Sequence, residues 1–311
     1  MALPRKRLAI LSLCFSLLAG IAFRLVAQED KPLRLDVKLV NIFVNVTDKS
    51  GAIVGGLSKD DFKITEDNRP QTIANFERQS EMPLNLTLAI DTSSSTYKDR
   101  AIEQQAAKKF VHALLRPQDQ MSLLEFDTFV SELTRGFTNK ETEIDRGLEH
   151  MRGEGGTALY DAIYLGSKSL GKRDGRKILV LVTDGGDTVK GYTYDEAIEE
   201  ALRNEVMIYS IIDVPIAASA GRDLGGEHAL IQLSEDTGGK HFYVDAGGLD
   251  KAFAQVSADL RTQYLIGYYP RNQEPGKEFH HIQVTVPRAA TESFNIRHKT
   301  GYYADPQKSR D

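Results

Sequence analysis

Three short segments of this 311-residue chain carry oxygen donors at spacings suited to a divalent cation. Asp91-Thr92-Ser93-Ser94-Ser95 follows the apolar run Leu84 to Ile90, so a carboxylate at a strand end is succeeded by hydroxyls two and four residues on. Gly155-Gly156-Thr157 brings a threonine hydroxyl to a helix start, and the apolar run Lys177 to Thr183 leads directly into Asp184-Gly185. Hard cations such as Mg²⁺ take carboxylate and hydroxyl oxygens, with water completing the shell. Each segment alone has an ordinary reading, because Ser and Thr cap helices and Asp-Gly makes turns. Five donors in this order, each behind a strand or at a helix start, weigh more than any one of them. Asp91, Ser93, Ser95, Thr157 and Asp184 are therefore the candidate metal ligands.

The elements that must position them follow from hydrophobic periodicity. Strands are expected at Leu86 to Ile90, Met121 to Phe126, Ile178 to Thr183 and Val206 to Ile212. Helices are expected near Asp99 to Leu115, Glu141 to Met151, Ala158 to Leu170, Asp195 to Asn204 and Leu249 to Leu260. Such alternation predicts an α/β fold with a doubly wound, mostly parallel sheet covered by helices on both faces. Ligands of such sheets bind beyond the carboxyl ends of the strands, where Asp91 and Asp184 lie.

The order D-x-S-x-S, T, D-G resembles the metal-ion-dependent adhesion site of von Willebrand factor type A domains. Leu233 to Gly239 is similar to the family's late helix ending in a Thr-Gly-Gly turn. Ser58 to Asp67 and Gln263 to Pro270 resemble the flanks of an exported bacterial subgroup. The resemblance implies that Ser93, Ser95 and Thr157 touch the metal directly while Asp91 and Asp184 often act through water. It implies Mg²⁺, or Mn²⁺ or Ca²⁺, as the cation. A partner's Asp or Glu carboxylate then completes the coordination, which is recognition without catalysis. Thr96 stands where many family members have methionine.

Before and after the α/β region the pattern is β-rich. Val40, Ile42, Val44 and Val46 alternate, as do Ile282, Val284 and Val286, and short strands are expected at Phe62-Lys63-Ile64 and Ile73 to Phe76. Neither flank has enough strands to bury a face alone, so the two are expected to form one small β module into which the α/β domain is inserted. Val37 to Val46 or its neighbours are expected to share a sheet with Gln283 to Val286. The expected division is a signal peptide at 1–27, an N-terminal β segment at 34–82, the von Willebrand factor A domain at 83–262 and a C-terminal β segment at 263–304.

Arg5, Lys6 and Arg7 precede an apolar run from Leu8 to Ala22, the pattern of an export signal. Arg24 leaves that run short for a membrane span, so an uncleaved anchor is the lesser alternative. The single cysteine, Cys14, lies within the run, which leaves a cleaved chain free of disulfides and of thiolate metal sites. The expected location is periplasmic, envelope-associated or secreted. A net charge of −5 gives no electrostatic reason to expect nucleic acid.

Other chemistry has less support. Asp99, eight residues after Asp91, is either an adjacent metal ligand or an acid opening a helix. His280 and His281 are neighbours in a strand and point to opposite faces, so they are expected to be ordinary strand residues. The phosphate-loop pattern is missing its lysine at Gly153 to Gly156. An exported metal-dependent hydrolase is the alternative function; it needs a base beside the metal, for which Asp187 is the nearby candidate. No catalytic residues are assigned.

Overall fold

The computed structural model describes residues 39–78, 81–96, 100–213, 223–244, 248–271, 276–288 and 293–304. The export-signal residues, Cys14, Val37 and Asp99 lie outside them. No helix among the described residues is long and apolar enough to cross a membrane.

A six-stranded sheet carries the candidate ligands. Its strands are β5 (Leu84–Asp91), β6 (Gln120–Phe126), β7 (Val130–Glu132), β8 (Arg176–Thr183), β9 (Val206–Asp213) and β10 (His241–Val244). The spatial order is β10-β9-β8-β5-β6-β7, parallel except for the edge strand β7. All eight residues of β5 are buried, as a central strand covered on both faces requires.

Side-chain alternation sends successive residues to opposite faces. Leu86, Leu88, Ile90, Ile178, Val180 and Val182 join one core with α1 (Arg100–Leu114), α2 (Glu141–Glu149) and α6 (Leu249–Arg261). Ala89, Leu179, Leu181 and Ile208 join the other with α3 (Leu159–Leu170), α4 (Tyr194–Arg203) and α5 (Leu224–Thr237). Three helices thus cover each face. The chain leaves β5 toward β6 on one side and reaches β8 on the other, so a topological switch point lies between β5 and β8, beside Asp91 and Asp184.

The flanks form two four-stranded sheets. One has the order β13 (Asn295–Arg297), β1 (Val40–Thr47), β11 (Tyr264–Tyr268), β4 (Ile73–Arg78). The other has β14 (Gly301–Tyr303), β12 (Phe279–Thr285), β2 (Lys63–Glu66), β3 (Arg69–Gln71). They share one apolar core of Ile42, Val44, Ile64, Ile266, Ile282 and Val284, among others. Burial of both flanks in one core is the module expected from their shortness. Its α/β insert leaves after β4 and returns at β11, and these strands pair at Tyr264 and Arg78.

The two flanks share sheets as expected, and Gln283 to Thr285 does so through a neighbour of Val37 to Val46 rather than through that strand itself. Val40 to Val44 pairs with Tyr264–Tyr268, and Asn45 to Thr47 with Asn295–Arg297. Gln283 to Thr285 pairs instead with Lys63 to Thr65. The reason lies in the burial patterns: Tyr264–Tyr268 is buried at every position and takes an interior place between β1 and β4. The strand Phe279–Thr285 alternates buried and exposed and serves a sheet with one wet face.

Candidate functional site

Asp91 ends β5 with its side chain buried. Its Oδ1 accepts the Ser93 amide at 2.9 Å, a local turn that swings the serine loop back over the strand end. Its Oδ2 accepts the Thr183 hydroxyl at 2.6 Å from the end of β8. Burial pushes the Asp91 carboxyl up to about 6 against these donors, and the Asp184 charge adds to the rise. A buried and a half-buried carboxylate beside hydroxyl oxygens are a donor set that suits a hard cation.

The hydroxyls continue the chain outward. Ser93 Oγ lies 3.0 Å from Ser95 Oγ, and Ser95 donates to Asp184 Oδ1 at 3.1 Å. The cluster grades from buried Asp91 and Ser93, through half-buried Asp184, to exposed Ser95, so it opens to solvent at the serine loop. Asp91, Ser93, Ser95 and Asp184 are thus brought into one hydrogen-bonded group.

Thr157 arrives on a separate loop, held against the first. The Ser94 amide donates to Gly155 O at 3.2 Å, and the Gly155 amide donates to Ser94 Oγ at 2.9 Å. Thr157 itself exchanges backbone bonds with Thr188, its amide donating to Thr188 Oγ1 at 2.8 Å and its carbonyl accepting the Thr188 amide at 2.9 Å. Gly155 has φ of 108°, and a Cβ there would meet Thr128 Oγ1 at 2.5 Å. The glycine is required both by backbone shape and by close approach.

Several supporting residues carry no signal in the sequence. Thr183 is one. Thr96 Oγ1 is buried and donates toward the carbonyls of Asp91 and Ser93 at 3.0 and 3.2 Å, so it closes the serine loop where methionine often stands in the family. Arg100 Nη2 donates to Thr92 O at 3.0 Å and Gly153 O at 2.7 Å, clasping the serine loop to the glycine loop. Only a residue reaching across two loops does this, and sequence spacing does not reveal it.

Asp187, the base candidate of the hydrolase reading, has a structural post. Its Oδ1 accepts the Tyr160 amide at 3.1 Å at the start of α3, whose own N-cap residue, Ala158, has no side-chain acceptor. Burial pushes its carboxyl up, opposed by the backbone amides of Tyr160 and Leu159. This is the role of a helix N-terminal acceptor.

A second cluster lies apart, in the β module. His280 is buried and His281 exposed, as alternation in a strand requires. His280 nevertheless has special partners: ligand atoms of Glu66, Asp67 and His280 lie within 4.8 Å of one another. His280 Nδ1 is 2.8 Å from Asp67 Oδ2, Lys277 Nζ donates to Asp67 Oδ1 at 2.6 Å, and the Tyr268 and Tyr302 hydroxyls donate to Glu66 Oε2 at 2.5 and 3.1 Å. An ammonium already neutralises Asp67, so the group ties the β2–β3 turn to β12 as a charge network.

Residues 86–186 match the von Willebrand factor type A domain family. Inter-alpha-trypsin inhibitor heavy chain H2 of Sus scrofa is 24% identical over 212 residues, 62% of this chain. That match spans 22% of the length of the relative. Among solved structures, an aerotolerance-related membrane protein from Bacteroides fragilis has 18% identity and a TM-score of 0.46, covering 57% of this chain and 98% of that one. BatB from Bacteroides thetaiotaomicron has 19% identity and a TM-score of 0.47, covering 57% and 97%. Proximal thread matrix protein 1 from the mussel byssus, with a zinc-occupied MIDAS motif, has 16% identity and a TM-score of 0.47, covering 59% and 49%. Within the α/β portion, the stretch from β5 to the Asp184 turn is thus what is similar to a von Willebrand factor type A domain.

Proposed function

We propose that the domain is a metal-dependent recognition module that binds a partner's Asp or Glu carboxylate through a divalent cation held by Asp91, Ser93, Ser95, Thr157 and Asp184. The observation that carries this reading is the hydrogen-bonded run from Asp91 through Ser93 and Ser95 to Asp184, buried at one end and open at the other. Such a donor set favours Mg²⁺ or Mn²⁺, with Ca²⁺ as the larger alternative. The cation, when bound, supplies an electrophilic position. The chain's own residues supply the rest: Thr183 and the Ser93 amide orient Asp91, and Arg100 fixes the two loops. Its place of action, on the reading of the first 27 residues as an export signal, is the periplasm, the envelope or the exterior.

Phe129 adds an apolar element to the face. The residue is 75% exposed, and its amide donates to Asp127 Oδ1, whose other oxygen holds the glycine loop through the Glu154 amide. A partner carboxylate flanked by an apolar residue matches that neighbourhood. Capture of proteins from envelope extract in Mg²⁺, against chelator, tests the reading. A partner should be retained in Mg²⁺, lost in chelator and lost to Ser93→Ala. Phe129→Ser should weaken capture while leaving cation affinity unchanged. Retention that ignores both chelator and Ser93→Ala would reject it.

A further inference from the structure

At the opposite end of the sheet from Asp91, the starts of β5 and β8 and the ends of α1 and α6 line a cavity of about 60 Å³ that is partly open to solvent. Three arginines line it, Arg116, Arg176 and Arg261, the last donating from Nη2 to Ala113 O at 2.6 Å. Two carboxylates, Glu81 and Asp119, also line it. Asp119 turns its oxygens to backbone amides, accepting Leu84 N at 2.9 Å and Arg116 N at 3.1 Å. Glu81 is 85% exposed at its side chain and stands 3.6 Å from Arg116.

Arg176 is the unusual member. It is 6% exposed, its Nη2 donates to the neutral amide oxygen of Gln263, and its guanidinium stacks at 5.2 Å on Phe43. Its Nε is buried with no hydrogen-bond partner. A buried cation needs compensation, because desolvation costs several kcal/mol per ion, on the order of what a close counter-charge returns. Burial holds the guanidinium below its usual range, with Asp119 opposing and Arg116 adding to the fall. Three cations against two acids leave the cavity one positive charge in excess.

We propose that this cavity binds a small inorganic oxyanion of the phosphate or sulfate class, held by Arg176, Arg116 and Arg261. A water needs about 10–15 Å³ of such space, whereas organic ligands occupy roughly 300–1,000 Å³. The cavity therefore fits a small tetrahedral ion. Guanidinium forks match the geometry of such oxygens. The position also gives the ion a consequence. Arg176 reaches the β module through Phe43 and through Gln263, which donates to Asn45 Oδ1 at 2.8 Å, so a bound anion braces the joint between module and domain.

The test is thermal unfolding of the full chain, titrated with inorganic phosphate and separately with sulfate. Ionic strength is held constant with chloride, and chelator is present throughout to silence the metal site. The expected result is a saturable rise in Tm, with the half-saturating concentration at least tenfold higher in Arg116→Ala and in Arg116→Ala/Arg261→Ala. Arg116 is partly exposed, so its variant keeps the fold even if the double variant does not. A crystal grown with selenate should show an anomalous peak between the three guanidinium groups. No saturable rise in the native chain, or an equal rise in Arg116→Ala, would overturn the proposal.

Discussion

Thr183 donates its hydroxyl to the buried Oδ2 of Asp91 at 2.6 Å, joining the ends of two adjacent parallel strands at the sheet's switch point. The bond is what lets a fully buried carboxylate face the serine loop with one oxygen already satisfied. Thr183→Val keeps the shape and removes the donor. It should cost about 1–3 kcal/mol of stability without metal, the penalty for a buried acceptor left unmade. Denaturant unfolding of both proteins in chelator measures it; equal midpoints would show that Thr183 plays no part in holding Asp91.

Asp187→Ala should remove the acceptor at the start of α3 and cost about 1 kcal/mol, as loss of a helix cap does. The Mg²⁺-dependent rise in Tm should survive. Metal-dependent turnover of a phosphoester or peptide that vanishes in Asp187→Asn would instead establish the hydrolase reading.

Much of this architecture is legible in the sequence because its causes are local. Short, largely apolar runs such as Leu86 to Ile90 and Ile178 to Val182, bounded by turn residues, read as interior strands, and the donors directly behind them inherit their positions from the strand ends. What is not legible depends on contacts across the fold. Arg100 clasps two loops, reaching Gly153 at 53 residues' separation from itself, and Asp187 caps a helix that begins well before it in the chain. Which strand of the C-terminal flank lies beside β1 is not legible, because Tyr264–Tyr268 has no alternation to mark its face; only its burial at every position makes it interior. His280 looks ordinary until the turn at Asp67 is folded against it.

Asp67 gives a pH signature. Burial raises its carboxyl, but Lys277, His280 and the His281 amide outweigh that and hold it down at about 2, below the usual 3.8. A carboxylate depressed by folding stabilises the protein above its unfolded pKa, and that contribution is lost as pH falls through the folded value. Native protein should therefore lose stability between about pH 4 and 2, and Asp67→Asn should show a flatter profile in that window. Parallel acid-unfolding curves would contradict it.

Arg297 pairs with Asp259, whose second contact is the Tyr209 hydroxyl at 3.2 Å, so strand β13 is pinned to helix α6 and strand β9. Arg297→Met should cost about 2–3 kcal/mol, less than the roughly 3–5 of a fully buried pair because the arginine is partly exposed. Module and domain should still unfold in one transition. Two separated calorimetric transitions in the native chain would refute the coupling.

The most direct test of the metal site is calorimetric titration of the chelator-stripped chain with Mn²⁺ and Mg²⁺, beside Asp91→Ala and Thr157→Ala. A single saturable site should be present in the native chain and lost in both variants, while far-ultraviolet circular dichroism shows the fold retained. Binding of equal strength and stoichiometry in folded Asp91→Ala and Thr157→Ala would contradict the assignment.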